Sequence, residues 1–424
     1  MPLTILSIRK SYLMVVFHKK LNMKKRVVIT GIGCISSLGN SIKEMEINLT
    51  KGNTRYLNIP TDRFSTEHRL YRNHSGFLMD STLYSESYDK SNSVMFPIVC
   101  RSIDEALKSA GIEISSLSNY RTGLCYGTSV GASYVVMKRI RKLQKNNEDD
   151  FNFGKYMTPI LIGEIASKYR INGIVSSIST ACASGTNSIG RAADMILNDK
   201  EDIVICGGID IFTELTYSGF NALMALSKGR CNPLSEDKDG MSLGDACASL
   251  ILESYESAIC RNAHIFGEIK GYCILNEAYH ATAPKPDGEY AFECMKRALD
   301  NSGLSPNDID YINAHGTGTY KNDTAEICGL EKLLVGKSVK TAVNSTKGLT
   351  GHCLGAAGSI EVIICLLSMK NNTVYAYDSG SVFQMSETID FVFSNGRHFE
   401  INNVLSNSFG FGGNMASIVL SKII

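Results

Sequence analysis

The sequence lacks three features, each of which would define a class of protein. Its formal net charge is only +1 over 424 residues, so it has no global basic excess of the kind that nucleic-acid-binding proteins show. Its 13 cysteines include no CxxC pair, which excludes zinc-ribbon and disulfide-rich secreted classes and favours a reducing cytoplasm. No stretch approaches the roughly 18 uncharged apolar residues of a membrane helix. We therefore expect a soluble cytoplasmic protein without a bound metal, a nucleic-acid partner or a membrane partner.

What is present begins with an unusual first segment, residues 1–22. Arg9, Lys10 and His18 interrupt its apolar stretches, and no small-residue cleavage site follows, so it has the pattern of neither a membrane helix nor a signal peptide. A strand-like run starts soon after Met23. We interpret residues 1–22 as an N-terminal extension to the folded part.

The remaining chain has the pattern of an α/β protein with an internal duplication. Short β-branched runs that end in glycine alternate with longer amphipathic stretches, a pattern typical of this fold class. A unit of helix, glycine, loop and strand at 101–128 recurs at 294–317. The repetition predicts two halves, 23–270 and 271–424, with the seam between 267 and 272. The alternative is a coincidental similarity of two common αβ units.

Cys182 lies between a strand-like run and a predicted helix, within the segment ACASG. Small neighbours permit a tight turn there, and the amides and positive end of the helix dipole would stabilise a thiolate. A lone cysteine is more often a small buried hydrophobe. The nucleophile hypothesis therefore needs support from other residues.

Two glycine-rich histidine motifs supply that support. His315 lies in NAHGTGT and His352 in KGLTGHCLGAAG, each after a strand-like run. Loop histidines flanked by glycine and threonine are poor candidates for core packing, although a structural hydrogen-bonding role stays open for either one alone. Together with Cys182 they indicate thioester chemistry.

The segments ACASG, NAHGTGT, KGLTGHCLGAAGSIE and NSFGFGG occur in this order and together resemble those of β-ketoacyl-acyl carrier protein synthases of the elongating type II class. The resemblance covers residues 23–424. It implies the duplicated thiolase-like α/β fold, with five layers in the order helix, sheet, helix, sheet, helix, and a dimer. It also implies that the enzyme needs no cofactor of its own, since the acyl carrier protein supplies the phosphopantetheine.

The resemblance assigns roles residue by residue. Cys182 carries the acyl group, while the amides of Cys182 and Phe411 form an oxyanion hole and Phe411 acts as a gate. His315 and His352 hold the malonyl thioester and assist its decarboxylation. The supporting residues that it implies are an ion pair and two acidic organisers: Lys347, Glu361, Asp323 and Glu326. A purely structural ion pair is the alternative for the first two.

Substrate and carrier contacts follow from the same resemblance. Thr317 and Thr319 would contact the pantetheine arm, and Val130 and Phe220 would line the acyl tunnel, with ordinary core packing as the alternative for the last two. The acyl carrier protein would dock on a local basic patch at Lys155, Lys228 and Arg230. A richer basic run, Lys138 to Lys142, is equally consistent with a solvated helix face.

Departures from the family pattern affect the pathway and not the chemistry. Asn414 and Met415 replace the familiar Thr-Asn, and the segment 226–233 looks shorter than in housekeeping fatty-acid enzymes. These features favour the catalytic ketosynthase of a type II polyketide system that makes aromatic polyketides or aryl polyenes. The alternatives are a fatty-acid elongating β-ketoacyl synthase II and a non-catalytic chain-length factor, which would lack the nucleophile. The set of one cysteine and two histidines disfavours a thiolase or an acetyl-CoA-primed ketosynthase. The expected dimer would be a homodimer or a heterodimer with a chain-length factor.

Overall fold

The computed structural model describes residues 25–66, 70–85, 95–133, 136–137, 140, 143, 157–376, 386–393 and 396–423. The strands within these residues are β1 (Val27–Ser36), β2 (Tyr56–Asn58), β3 (Ser75–Phe77), β4 (Thr122–Gly127), β5 (Val175–Ile178), β6 (Ile203–Asp210), β7 (Ala246–Ser254), β8 (Gly267–Asn276), β9 (Tyr311–Asn313), β10 (Thr341–Asn344), β11 (Thr373–Val374), β12 (Ile389–Phe391), β13 (Arg397–His398), β14 (Asn403–Gly410) and β15 (Asn414–Ser421).

The α-helices within the same residues are α1 (Ile42–Lys51), α2 (Thr82–Ser85), α3 (Met95–Ala110), α4 (Thr158–Lys168), α5 (Ser184–Leu197), α6 (Glu214–Ala222), α7 (Tyr255–Cys260), α8 (Glu289–Ser302), α9 (Tyr320–Leu334), α10 (Lys347–Thr350) and α11 (Ala357–Asn371). Short 3₁₀ helices cover Ile114–Asn119, Pro306–Asp308, Leu354–Ala356 and Phe411–Gly413.

The main sheet is built from two halves with the same strand order. Outward from β1 the neighbours are β7, β6, β4 and β5, and outward from β8 they are β15, β14, β9 and β10, with β12 added at that edge. In each half the three outer strands run parallel and the two inner ones antiparallel. The halves meet where residues 27–29 of β1 pair with 267–269 of β8.

Helices complete the layers on both sides of each half-sheet. The helices α5 and α11 pack against each other and against strands of both halves, so they form the central layer. The helix α3 covers β1 and β7 on one outer face, and α8, backed by α9, covers β8 and β15 on the other. The predicted duplicated α/β fold of five layers is thereby confirmed.

Burial on all sides explains the composition of the central elements. Every residue of β1 and β6 is buried, as is expected for strands enclosed between helical layers. In α11, residues 357–369 are all buried. Residues 354–371 are apolar enough in hydropathy to cross a membrane, yet they form a core helix, since a helix that is apolar all round needs an apolar surrounding.

The repeated helix-to-strand unit has the structure that its sequence predicts. Both α3 and α8 are followed by a glycine in the left-handed conformation, Gly111 at φ 66° and Gly303 at φ 74°, where a side chain would be unfavourable. By topology the second half begins with β8, which starts at Gly267. The limits 23–270 and 271–424 stay a prediction, and the extension 1–22 lies outside the described residues.

Candidate active site

A cavity of about 460 Å³ opens among loops contributed by both halves. Cys182 reaches it from the first half, and His315, His352 and Phe411 reach it from the second. Cys182, His315 and Phe411 each lie just beyond a strand of the main sheet. His352 follows the short helix α10, which comes after β10. Loops beyond the strand ends thus converge on one site. The structure therefore brings the predicted nucleophile and both histidines together.

The backbone that carries Cys182 is a strained turn between β5 and α5. The preceding residue, Ala181, has φ 50°, a conformation that residues with a Cβ rarely adopt. Its carbonyl accepts hydrogen bonds from the hydroxyls of Ser184 at 2.6 Å and Ser129 at 2.7 Å. A Cβ on Gly410 would lie only 2.9 Å from the backbone nitrogen of Cys182. Glycine at this position therefore permits the close approach of the β14 end to the Cys182 turn.

His352 lies directly against the thiol. Its Nε2 is 3.1 Å from Sγ of Cys182, and its Nδ1 accepts the backbone N–H of Leu354 at 3.3 Å. An imidazole nitrogen that accepts a hydrogen bond carries no proton. The neutral ring of His352 therefore holds its proton on Nε2, directed towards Cys182.

His315 faces the same point from a loop fixed by Glu326. The two imidazole rings are edge to face, with centroids 5.3 Å apart. The carboxylate of Glu326 accepts the backbone N–H groups of His315 and Gly316, both at 2.8 Å, and the side-chain amide of Asn407 at 3.1 Å. The side-chain donor atoms of Cys182, His315 and His352 all lie within 4.8 Å of one another.

Asp323 organises the following part of the loop in a similar way. It accepts backbone N–H groups of Thr317 at 2.9 Å, Gly318 at 3.1 Å and Leu234 at 2.7 Å. The hydroxyls of Thr317 and Thr319 are 2.9 Å apart, and both residues line the cavity. Two polar side chains thus line the same cavity as the histidines.

Lys347 and Glu361 form a fully buried ion pair behind the histidines. Lys347, at the start of α10, is 0% exposed and Glu361, in α11, is 1% exposed. Burial raises the pKa of Glu361 to about 7, although the lysine opposes that rise. Since both partners are inaccessible, the lysine acts on its surroundings through its charge.

Burial sets the protonation of the three central groups. It lowers the pKa of His315 and His352 well below the usual value, and the charge of Lys347 adds to the effect, so both rings are neutral. It also raises the pKa of the Cys182 thiol to about 11, against the opposing effects of Lys347 and of the backbone N–H groups of Phe411 and Cys182. The sequence predicts a thiolate stabilised by the helix, but desolvation outweighs that effect and the resting thiol is protonated.

Phe411 lies in the 3₁₀ turn at the end of β14, half-buried, with its ring 5.7 Å from that of Phe220. Gly412 and Gly413 both have positive φ, 76° and 75°, which favours glycine at these positions. Phe220 lines the cavity. Val130 lies outside the cavity lining. Like Phe220, it is partly buried and packs against a buried apolar cluster that includes Phe212 and Tyr217.

The predicted docking residues have different surroundings. Lys228 is exposed, whereas the half-buried guanidinium of Arg230 donates to the carbonyl of Gly348 at 2.6 and 2.9 Å. Arg230 therefore contacts the short helix α10, next to Lys347. Lys155 and the charged positions of the run 138–142 lie outside the described residues.

Sequence reasoning missed two parts of the site. The loop 277–284 lines the cavity with Glu277, His280 and Thr282, and no single residue in it carried a distinctive signal. Asp210 was also missed, although an acidic residue at the end of the apolar run 203–209 is a sign of a buried polar role. It is fully buried.

Comparisons with known proteins agree with this geometry. Residues 24–258 match the model of the Beta-ketoacyl synthase, N-terminal domain, and residues 266–377 match that of the Beta-ketoacyl synthase, C-terminal domain. A 3-oxoacyl-[acyl-carrier-protein] synthase 2 from Coxiella burnetii is 34% identical over 94% of this chain and 99% of its own. A putative mitochondrial 3-oxoacyl-[acyl-carrier-protein] synthase from Schizosaccharomyces pombe is 33% identical over 94% of this chain and 100% of its own.

Solved structures show the same fold. The ketosynthase of a type II PKS, in complex with its acyl-carrier protein and bound to the hexaketide, matches with a TM-score of 0.85 and 27% identity over 95% of this chain and 100% of its own. The ishigamide ketosynthase/chain length factor matches with a TM-score of 0.84 and 26% identity over the same shares. The chain belongs to the β-ketoacyl synthase family of acyl-transferring condensing enzymes.

Proposed function

We propose that this protein catalyses decarboxylative Claisen condensation between an acyl chain held on Cys182 and a malonyl thioester of an acyl carrier protein. The observation that carries the proposal is the meeting of Cys182, His315 and His352 within 4.8 Å at the inner end of a cavity. Ketosynthases of this family use no cofactor of their own, since the carrier protein brings the phosphopantetheine.

Acyl transfer to Cys182 is the first step. The Nε2–H of His352 stabilises the sulfur as it becomes a thiolate, which compensates for the raised pKa of the thiol. The sulfur attacks the acyl carbonyl, and the backbone N–H groups of Cys182 and Phe411 receive the developing oxyanion. The new C–S bond to Cys182 replaces the thioester bond to the carrier. The proton lost by the Cys182 thiol ends on the carrier thiolate.

Decarboxylation and condensation follow at the histidines. The bond between the malonyl carboxylate and its methylene carbon breaks, carbon dioxide leaves, and neutral N–H donors of His315 and His352 hold the enolate oxygen. The methylene carbon then attacks the acyl carbonyl on Cys182. The C–S bond to Cys182 breaks, the β-ketoacyl chain stays on the carrier, and the released Cys182 thiolate takes up one proton from water.

The supporting residues have distinct tasks in this scheme. Burial keeps both imidazoles neutral, and the charge of Lys347 adds to that effect, so each ring can donate a hydrogen bond without acting as an acid. Asp323 and Glu326 hold the His315 loop through backbone N–H groups. Thr317 and Thr319 offer hydroxyls to the amide-rich pantetheine arm, and Phe220 with Phe411 bounds the acyl chain.

The proposed pathway rests on sequence features and on the functions of the structural relatives. The short segment 226–233 and the similarity to a type II PKS ketosynthase and to the ishigamide ketosynthase/chain length factor favour type II polyketide synthesis. The curated relatives are named 3-oxoacyl-[acyl-carrier-protein] synthase 2, so fatty-acid elongation is the second candidate. The presence of Cys182 argues against a non-catalytic chain-length factor.

We also propose a cytoplasmic dimer, either with a second copy or with a chain-length factor. The strand β5 lies at one edge of the main sheet, opposite the edge at β12. Its residues alternate between exposed and half-buried. Val175 is 42% exposed and Ile174, just before it, is 37% exposed. Among the described residues β5 has no strand on its outer side, and such a sheet edge is a natural pairing surface for another chain.

The proposed reaction is tested by intact-protein mass spectrometry after mixing the enzyme with acyl carrier protein thioesters. We expect an acyl adduct on the wild type, followed by a carrier-bound β-ketoacyl product when malonyl thioester is added. The Cys182→Ala variant should form neither, whereas Cys260→Ala, which removes an exposed thiol on α7, should behave as the wild type. An adduct on Cys182→Ala would contradict the assignment. The length and β-keto content of the product, made with the neighbouring pathway proteins, separate polyketide from fatty-acid synthesis.

A further inference from the structure

Asp210 is a buried carboxylate at the end of β6 with no assigned part in the reaction. It is 0% exposed, and four donors converge on it. The hydroxyl of Thr128 and the backbone N–H of Val130 donate to Oδ1 at 2.5 and 3.2 Å, and the backbone N–H groups of Ser129 and Gly355 donate to Oδ2 at 2.8 and 2.6 Å. A buried carboxylate with four donors is a strong organiser of the backbone around it.

These donors belong to two segments that each adjoin a catalytic turn. The backbone N–H of Ser129 donates to Asp210, and its hydroxyl donates to the carbonyl of Ala181, the residue before Cys182. Gly355 follows Leu354, whose N–H fixes the ring of His352. One carboxylate therefore links the nucleophile turn of the first half to the histidine turn of the second.

Both turns are strained at the point that Asp210 supports. Ala181 has φ 50° and Leu354 has φ 52°, conformations that are unfavourable for residues with a Cβ. Such conformations persist only where the surroundings hold them. The contact at Gly355 is also close, since a Cβ there would lie 2.7 Å from Oδ2 of Asp210.

We propose that Asp210 is a positioning residue that holds the Cys182 turn and the His352 turn in register across the two halves, so that the thiol and the imidazole stay aligned for both steps. This inference rests on the proposed function. Burial raises the pKa of Asp210 to about 6, so at neutral pH it is ionised and all its capacity is available for accepting hydrogen bonds. An asparagine of the same shape would turn an amide towards donors and lose part of that capacity.

The test uses two variants and a matched control in otherwise intact enzyme. Asp210→Asn disturbs both turns, whereas Ser129→Ala removes only the hydroxyl that reaches Ala181. The control is Asp310→Asn, because Asp310 also accepts two backbone N–H groups, from Asn402 and Asn403 at 2.8 and 2.9 Å, but outside the cavity. Acyl transfer is followed by intact mass, and malonyl decarboxylation by carbon dioxide release in a Cys182→Ala background.

We expect Asp210→Asn to slow both steps about 10- to 100-fold, as a misaligned reacting group does. Ser129→Ala should slow acyl transfer and leave decarboxylation within about twofold of its Cys182→Ala parent. Asp310→Asn should change neither. A folded Asp210→Asn enzyme with both rates unchanged would overturn the proposal, as would a Ser129→Ala enzyme that loses both steps equally.

A carrier-independent measurement separates this inference from the proposed function. Alkylation of Cys182 by iodoacetamide at fixed pH needs no thioester substrate, and it reports the placement of the thiol against His352. We expect its rate to change at least about threefold in Asp210→Asn and in Ser129→Ala, but not in Asp310→Asn. Unchanged alkylation in both test variants would contradict the inference, even if the wild type proved inactive with carrier thioesters. If Asp210→Asn does not fold, the contrast between Ser129→Ala and Asp310→Asn decides.

Discussion

At the residue scale, the main property of the site is that charged groups are buried and held by hydrogen bonds. Lys347, Glu361, Glu326 and Asp210 are all at most 1% exposed. Such groups cost free energy to desolvate, and they persist where that cost serves alignment or electrostatics. Their protonation should therefore couple the stability of the enzyme to pH.

Glu326→Gln tests this coupling. Burial raises the pKa of Glu326 to about 7 from a usual 4.5, so the folded state binds the proton more tightly than the unfolded state does. The wild type then loses stability as the pH rises from about 4.5 through about 7, while glutamine cannot ionise. We expect the free energy of unfolding of the wild type minus that of Glu326→Gln to fall by up to about 3 kcal/mol between pH 5 and pH 8.

Urea unfolding of both proteins at the two pH values provides the measurement. The same experiment on Glu293→Gln is the control, because Glu293 of α8 forms a solvent-accessible ion pair with Arg297, and the loss of such a pair should change the free energy of unfolding little at either pH. If the free energy of unfolding of the wild type minus that of Glu326→Gln stayed constant or rose with pH, ionisation of Glu326 would not destabilise the folded state.

At the element scale, the 3₁₀ turn that carries Phe411 is joined to the loop that follows β8. The N–H of Gly412 donates to the carbonyl of Ala281 at 2.8 Å, and the amide of Asn276 donates to the carbonyl of Gly412 at 2.7 Å. Phe411 therefore lies within a network of loop contacts, half-buried at the cavity and outside the buried core.

Phe411→Ala should change acylation kinetics or chain-length preference more than stability. Phe411 is half-buried beside Phe220, so its removal opens the cavity and leaves the sheets intact. We expect the melting temperature to change by less than about 3 °C. The neighbouring Phe409→Ala is the contrast, because Phe409 is only 8% exposed and packs in the core of the second half. A large loss of stability with unchanged kinetics in Phe411→Ala would show it to be a core residue.

Carrier docking is also a property of surface elements. Because Arg230 donates to the carbonyl of Gly348 in α10, Arg230→Glu would disturb the helix that begins at Lys347 as well as any docking contact. Lys228→Glu is therefore the cleaner probe. We expect it to reduce the rate of acyl transfer from the carrier by up to about fivefold at low salt, with the difference fading at high salt. Lys200→Glu, an exposed cation after α5, is the control. Equal rates for Lys228→Glu and wild type at low salt would exclude Lys228 from the docking surface.

At the scale of the whole molecule, each half supplies part of one site, and the sheet ends in an edge at β5. If the edge pairs with another chain, a charge at the exposed Val175 should prevent pairing. We expect Val175→Asp to lower the mass measured by light scattering from that of a dimer to that of a monomer. Ile274→Asp, at an exposed position of the inner strand β8, is the control and should leave the mass unchanged. A dimeric Val175→Asp protein would place the interface elsewhere.

The sequence by itself determined the repeated α/β order and the identity of the central residues. Both follow from local patterns, since a strand, a glycine turn and a helix cap are encoded within a few residues. Cys182 and His315 stand out because each lies in a small-residue segment directly after a strand, and His352 because it lies in a glycine-rich segment after α10. The order of their motifs along the chain is also enough to indicate the family.

The tertiary structure decided the properties that depend on residues far apart in the chain. The raised pKa of Cys182 comes from burial by both halves, and the link from Asp210 to Gly355 joins positions 145 residues apart. Arg230 donates to the carbonyl of Gly348 in α10, and Val130 packs against an apolar cluster outside the cavity lining. No local pattern encodes these neighbours. The local sequence determined which chemical groups are present. The whole fold sets their burial and their hydrogen-bond partners, so packing decided their charge and their alignment.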